Sequence, residues 1–384
     1  MRLTRWCGLV AVAMLAAACS RPITPLPEAP VSSPTPAPPV VLPRDAGPHD
    51  ALTEWWYYTG HLQSDRDGSR YGFEFTVFQA QRQGAPTGYL AHFAVSDIGG
   101  QRFSHQARIA QNAAAGGPPS PAATPQPNGV TSREASPGTE EPSRAAFPLD
   151  VDGWTLSTEG PADVIAADMQ AGPGADPPFG LRLRLLDEKP PALHHGGYIE
   201  YGNAGGSYYY SRTRLSVSGE LHPASGDAIP VSGVAWMDHQ WGNFVVGAVG
   251  GWDWYSLQLD DRSELMLYVL RAPNGDTTAV YGTQVLAAGG TRDLAPGSVR
   301  AEATGSWTSP HTGAVYPSGW ELTLPGGERL ELQPQLQDQE LFFPEAHAQG
   351  PGATVPAYWE GAVTVVGDRT GVGYVELTGY AGRQ

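Results

Sequence analysis

GVAWMDHQWGNFVVGAVGGWDWYSLQL, residues Gly233–Leu259, gathers four tryptophans, two separated acids (Asp238 and Asp253) and His239 into one short stretch. The residues before it read as one β unit closing, and those after it as a second one opening. In an extended chain side chains alternate, so Trp236, Asp238 and Gln240 share one face while Met237 and His239 share the other.

Outward from this stretch, short β patterns dominate. Glu54–Leu62 (EWWYYTGHL) and Tyr71–Gln79 (YGFEFTVFQ) alternate large apolar with polar residues, and Ser64–Gly68 between them is turn chemistry, so the pair reads as a hairpin. Tyr89–Asp97, Asp150–Ser157, Leu181–Leu186, Tyr208–Leu221 and Pro230–Asp238 continue the series, and no window holds a sustained 3.6-residue apolar stripe. The second half repeats the theme. Trp254-Tyr255 begins a strand much as Trp56-Tyr57 does, and a turn at Asp260-Asp261-Arg262 leads into Glu264–Arg271. Gly233-x-x-Trp236-x-Asp238 also corresponds to Gly371-x-x-Tyr374-x-Glu376, a weak internal duplication. The fold class is therefore all-β, with two copies of a similar antiparallel unit. Closed up-and-down barrels remove sheet edges and are preferred to a pair of β-sandwiches.

The chain has 384 residues, a formal charge of −16 and only 16% charged residues. With no cluster of Lys and Arg, nucleic acid is excluded as a partner. Residues 1–19 carry Arg2 and Arg5, an apolar run and Leu15-Ala16-Ala17-Ala18-Cys19, which resembles a bacterial lipobox. Cys19 would then carry the acyl chains that anchor the protein in the cell envelope, with Ser20 directing it to the outer membrane on its periplasmic side. Cleaved there, the chain keeps no other thiol, which excludes disulfides and cysteine-based metal sites. Residues 20–48 are rich in Pro, Ala, Thr and Ser and read as a disordered tether, followed by domains at 49–245 and 246–384. Residues 116–144 have the same character and read as a disordered insertion in the first domain.

Asp238 is the first candidate for chemistry. If the Trp236 face lines a barrel interior, Asp238 points into an aromatic cavity, where burial would raise its pKa and let it act as a general acid. The competing reading pairs it with Arg212 or Arg214. Asp253, between Trp252 and Trp254, would face away from both tryptophans, and Glu54 stands beside Trp55-Trp56. The tryptophans suit a flat, apolar ligand, whose cation they could stabilise. His194-His195 is read as a loop after Pro190-Pro191, without the further ligands that a metal would need. No metal and no cofactor is expected. Gly-x-Ser-x-Gly, His-Glu-x-x-His, P-loop and Rossmann motifs are absent.

Glu54-Trp55-Trp56-Tyr57-Tyr58, Ala91–Asp97, Ser207–Ser211, Gly233–Gly242, Gly251–Asp261, Asp338–Leu341 and Trp359-Glu360-Gly361 together resemble the AttH-like, CrtC-type lipocalin-like family, whose relatives include carotenoid 1,2-hydratases. The resemblance implies two consecutive lipocalin-like antiparallel β-barrels and no cofactor. It places the acid on Asp238, with Trp236 as the aromatic partner and His239 beside them. Trp241, Trp252, Asp253, Trp254, Tyr255, Glu54, Trp56, Tyr57 and Tyr209 are then the residues expected to bind substrate. The activity so implied is hydration of an alkene in an apolar isoprenoid or lipid. The alternatives are a carrier of hydrophobic molecules and a hydrolase.

Overall fold

The computed structural model describes residues 38–82, 86–111, 147–172, 177–201, 205–244, 250–343 and 356–381. Cys19 and the insertion expected at 116–144 lie outside them. Among the described residues there is no α-helix, and the strands form two large antiparallel sheets. The first comprises β1 (Thr53–Ser64), β2 (Arg70–Ala80), β3 (Gly88–Asp97), β4 (Arg102–Gln111), β5 (Leu149–Val151), β6 (Trp154–Glu159), β7 (Ala162–Asp168), β8 (Phe179–Asp187), β9 (Ala192–Glu200), β10 (Gly205–Pro223) and β11 (Ile229–Phe244). Its order is β4-β3-β2-β1-β11-β10-β8-β7-β6-β5, with β9 also on β10, and β5 lies against β3 and β4 so that the sheet nearly closes into a barrel.

The second half supplies β12 (Gly251–Leu259), β13 (Glu264–Arg271), β14 (Thr277–Val285), β15 (Thr291–Asp293), β16 (Arg300–Ala303), β17 (Ser306–Thr308), β18 (Val315–Pro317), β19 (Trp320–Thr323), β20 (Arg329–Pro334), β21 (Glu340–Leu341), β22 (Tyr358–Gly367) and β23 (Gly371–Leu377). Its main order is β15-β14-β13-β12-β23-β22-β20-β19-β16, a half-barrel, while β17 and β18 form a separate ribbon.

Both halves pair their first strand with their last, which is the physical content of the duplication. Tyr57 lies opposite Asp238 across β1 and β11, and Trp254 lies opposite Glu376 across β12 and β23. This register slips the expected correspondence by one residue: Tyr57 matches Trp254, and Tyr58 matches Tyr255. Asp150–Ser157, read as one strand, is two, because Asp152 and Gly153 take φ of 53° and 85° and make a tight turn. His194 and His195 are not in a loop but in β9. There His195, Gly196 and Gly197 have φ of 49°, 74° and 97°, and the pairing with β10 shifts register. The stretch expected to be a tether through Pro48 docks before its end: Arg44–Ala46 is a 3-10 turn, Ala46 is buried in the first core, and Val40 and Leu42 pack on it.

Among the described residues strand alternation gathers four apolar clusters, three of which bear on the site, while the fourth joins Ala94 and Phe103 to Leu341, Phe343 and Tyr358. One fills the first barrel (Trp56, Tyr58, Phe73, Phe75, Met237 among others), and a second lines the inner face of the second sheet (Tyr255, Leu257, Leu267, Trp320, Trp359). The third lies between the sheets, where Tyr57, Tyr209, Trp236, Trp254, Met266 and Tyr374 interlock. Gly72 on β2 permits this approach, since a Cβ there would stand 2.4 Å from the Tyr374 hydroxyl. Full burial of Trp236 and Tyr374 contributes about 2–3 kcal/mol each.

Candidate active site in the seam between the sheets

β11 is buried on both faces, so its alternation sends two different sets of side chains in opposite directions. Met237, His239 and Trp241 look into the first barrel. Trp236 and Asp238 look out of it, into the seam. The expectation that the Trp236 face lines a barrel interior is therefore corrected: the aromatic enclosure of Asp238 is made jointly by the two sheets.

Asp238 is fully surrounded by protein. Tyr209 donates its hydroxyl to Oδ2 at 2.5 Å, the Trp236 indole N–H donates to Oδ1 at 2.6 Å, and Ser211, directly opposite on β10, donates its hydroxyl to Oδ1 as well. Burial raises the pKa to about 6, and these three donors restrain the rise. Neither arginine proposed as its partner reaches it, because Arg212 pairs with Asp163 and Asp187 while Arg214 pairs with Glu264. Trp254 from the second sheet donates to the Tyr209 hydroxyl at 3.0 Å, tying that sheet to the Asp238 network.

Three more carboxyls share the seam. Tyr57 donates to Glu360 Oε1 at 2.5 Å, and the Trp252 indole N–H donates to Glu376 Oε2 at 2.9 Å. Neither oxygen of buried Glu74 has a hydrogen-bond partner, although the Thr76 hydroxyl lies beside it. Burial pushes Glu74 up to about 8, with the neighbouring Glu376 adding to it. Glu376 itself rises to about 7 by burial, tempered by Trp252 and raised further by Asp238 and Asp253. Glu360 is driven well above the carboxylate range by burial and by Glu74 and Glu376. The seam thus holds acids that keep their proton at neutral pH beside one poised to lose it. That is the division of labour acid–base chemistry needs.

Six of the expected residues meet here: Asp238, Trp236, Tyr57, Tyr209, Trp252 and Trp254. The others are elsewhere. His239 and Glu54 pair inside the first barrel at 2.8 Å, with Trp56 stacked on the His239 ring at 4.8 Å and Trp241 stacked on His49 at 4.1 Å. Asp253 faces away, bonded to Arg271 and Tyr380, and Tyr255 is packed in the second core against Trp320. His49, Glu54 and His239 converge closely enough to suggest a cation site. However, Glu54 already accepts from both imidazoles, the His49 backbone N–H and the Gln79 amide, so the trio is a closed hydrogen-bond network.

Sequence reasoning did not assign Glu74, Glu360, Glu376, Ser211 or His194 to the site. A signal existed for two of them: Glu376 is the counterpart of Asp238 in the duplication, and Glu74 is an acid amid the aromatics of Tyr71–Gln79. A cleft of about 280 Å³ lies outside the seam, beside Leu265, Arg292, Asp293 and Arg369, and touches none of the four carboxyls. The concentration of buried acids, not this cleft, marks the candidate site.

A crystal structure of an AttH candidate from Nitrosomonas europaea superposes with a TM-score of 0.71 at 32% identity, covering 90% of this chain and 98% of that one. Kievitone hydratase from Nectria haematococca shares the fold with a TM-score of 0.63 at 16% identity, covering 88% of this chain and 93% of that one. No protein of curated function matches the sequence significantly. The family description AttH-like matches residues 33–380, and with that span and the Nitrosomonas likeness this chain belongs to the AttH-like family.

Proposed function

We propose that the protein is a cofactor-free hydratase that adds water to an alkene of an apolar isoprenoid or lipid in the seam. The observation that carries this is Asp238: a fully buried carboxyl near neutral pKa, held by three donors in an aromatic enclosure. Asp238, when protonated, gives its proton to one alkene carbon. Trp236, Trp254 and Tyr57 flank the cation that forms at the other carbon, water adds there, and the excess proton of that water returns to the Asp238 carboxylate. Alkene plus water becomes alcohol, and the enzyme is restored. Fold likeness to a protein named as a hydratase supports the class of reaction. We further propose that Cys19 carries the lipid that holds the protein on the periplasmic face of the outer membrane, close to hydrophobic substrates.

The hydrolase reading gains one feature, Ser211 beside His194 at 2.7 Å, but loses it again. The Ser211 hydroxyl donates to Asp238, and burial lowers the His194 pKa to about 3, so the pair lacks an activating base.

The test is to purify the protein from its native envelope and identify co-purifying hydrophobes by mass spectrometry. A polyene or prenyl lipid that gains the mass of water on incubation, and does not do so with Asp238→Asn, is the expected result. The same molecule returned unchanged would replace the hydratase by a carrier.

A further inference from the structure

Asp238 is enclosed by protein, yet one line of side chains leads from it to solvent. Ser211 Oγ, bonded to Asp238 Oδ1, lies 2.7 Å from His194 Nε2; His194 Nδ1 lies 2.9 Å from Thr283 Oγ1; and Thr283 Oγ1 lies 3.3 Å from Asp293 Oδ1. Ser211, His194 and Thr283 are wholly buried, whereas the Asp293 side chain is 44% exposed and lines the 280 Å³ cleft. The line crosses both sheets, since Ser211 and His194 come from β10 and β9 and Thr283 and Asp293 from β14 and β15.

We propose that Asp293, Thr283, His194 and Ser211 form a proton path that connects Asp238 to the solvent of the cleft. Every intermediate member both donates and accepts a hydrogen bond, as relay requires and as an arginine, lysine or carbonyl could not do. The polarity is set by which end holds the proton. When Asp293 is protonated it donates to Thr283, Thr283 O–H donates to His194 Nδ1, His194 Nε2–H donates to Ser211 Oγ, and Ser211 O–H donates to Asp238. When Asp293 is the carboxylate, Thr283 O–H donates to it, His194 Nδ1–H donates to Thr283, and the order reverses to a protonated Asp238.

One transfer therefore balances. Protonated Asp293 gives its proton to Thr283, which passes its own to Nδ1. Nε2 releases its proton to Ser211, and Ser211 passes its own to Asp238. The imidazole ends as the Nδ1–H tautomer, Asp238 as the neutral acid and Asp293 as a carboxylate that refills from water. Loss of the proton from Asp238 runs the path backwards. Burial keeps His194 neutral, so it hands charge on without storing it. Other groups face the two ends: Tyr209, Trp236 and Glu376 at Asp238, and His195 and Arg292 at Asp293. None of them bridges the ends.

The path rests on Asp238 as the group that exchanges protons, but its test needs no substrate. The carboxylic C=O stretch of Asp238, identified as the infrared band lost in Asp238→Asn, is followed after a rapid pH jump from 8 to 5 in the ligand-free protein. Thr283→Val, which keeps the shape and removes the relay hydroxyl, and His194→Phe should each slow the appearance of that band by at least about tenfold. Rates equal to the native protein in both variants would overturn the path. So would a displaced midpoint with an unchanged rate, which marks the two residues as merely structural. Absence of any Asp238 band between these pH values would overturn it too, since the path would then serve nothing. Failure of the hydratase reading, by contrast, shows only as absent turnover and leaves these rates untouched.

Discussion

Asp238 and Glu74 are buried alike and lie on the same outward face of the first sheet, but their surroundings differ. Asp238 accepts three hydrogen bonds and sits near 6; Glu74 accepts none and sits near 8. Burial pushes both upward, and the neighbouring Glu376 adds to the rise at Glu74. The indole and two hydroxyls decide which one ionises first. The comparison shows how a single apolar seam can keep one acid poised by neutral donors and another loaded by their scarcity and an acidic neighbour.

Loss of the Asp238 proton has the largest expected effect. Asp238→Asn keeps the shape and removes the acid, so turnover on a confirmed alkene should fall by about 10²–10⁴ while the thermal midpoint stays close to native. Retained turnover would remove Asp238 from the mechanism.

The Glu74 side of the comparison should appear in stability. Its folded pKa of about 8 exceeds the unfolded value of 4.5, so the folded chain binds the extra proton. Stability is then fully present below pH 4.5 and declines as pH rises through 8, by about 1.4 kcal/mol per pH unit for one such group. Glu74→Gln should flatten that decline in thermal melts taken between pH 5 and 8. An unchanged slope would mean that Glu74 is not the buried acid responsible.

Trp236→Phe probes the contrast more gently. It removes one of three donors, so the Asp238 pKa should move up from about 6 toward that of Glu74. Activity that needs the protonated acid would then persist to higher pH, and the alkaline limb of the profile should move upward. A limb that stays or moves down would contradict the donor account. The smallest effect is expected at Asp253. It stands between two seam tryptophans yet points at Arg271 and Tyr380, so Asp253→Asn should leave turnover and its pH profile unchanged in the same assay.

Much of this is legible in the sequence. The alternation of EWWYYTGHL and YGFEFTVFQ, and the echo of Gly233–Asp238 in Gly371–Glu376, lead to two antiparallel units, and the shared face of Trp236 and Asp238 leads to Asp238 as an acid enclosed by aromatics. The division of β11 into a Trp236–Asp238 face and a Met237–His239 face also holds. What alternation does not carry is which face looks where when both are buried. For that reason the sequence groups Glu54, Trp56, His239 and Trp241 with Asp238, although they belong to the first barrel. His194 is hidden by Pro190-Pro191 and the glycines after it, which read as a loop but form a bulged strand. Its partners Ser211 and Thr283 lie on strands that only the packing of the two sheets brings together.

The pairing of first strand with last in each half bears on how the protein is made. β1 emerges early and can join β2 at once, but its other edge, bearing Trp55-Trp56-Tyr57-Tyr58, has no partner until β11 has been synthesised. The nascent chain must travel with an aromatic strand edge exposed, the feature most prone to unwanted intermolecular pairing. Because the seam forms only when the second half closes as well, maturation is a late and non-local event, slow for its size. A truncated chain ending at Phe244 would bear the whole Asp238 face as bare surface, and its natural fate is association, not function.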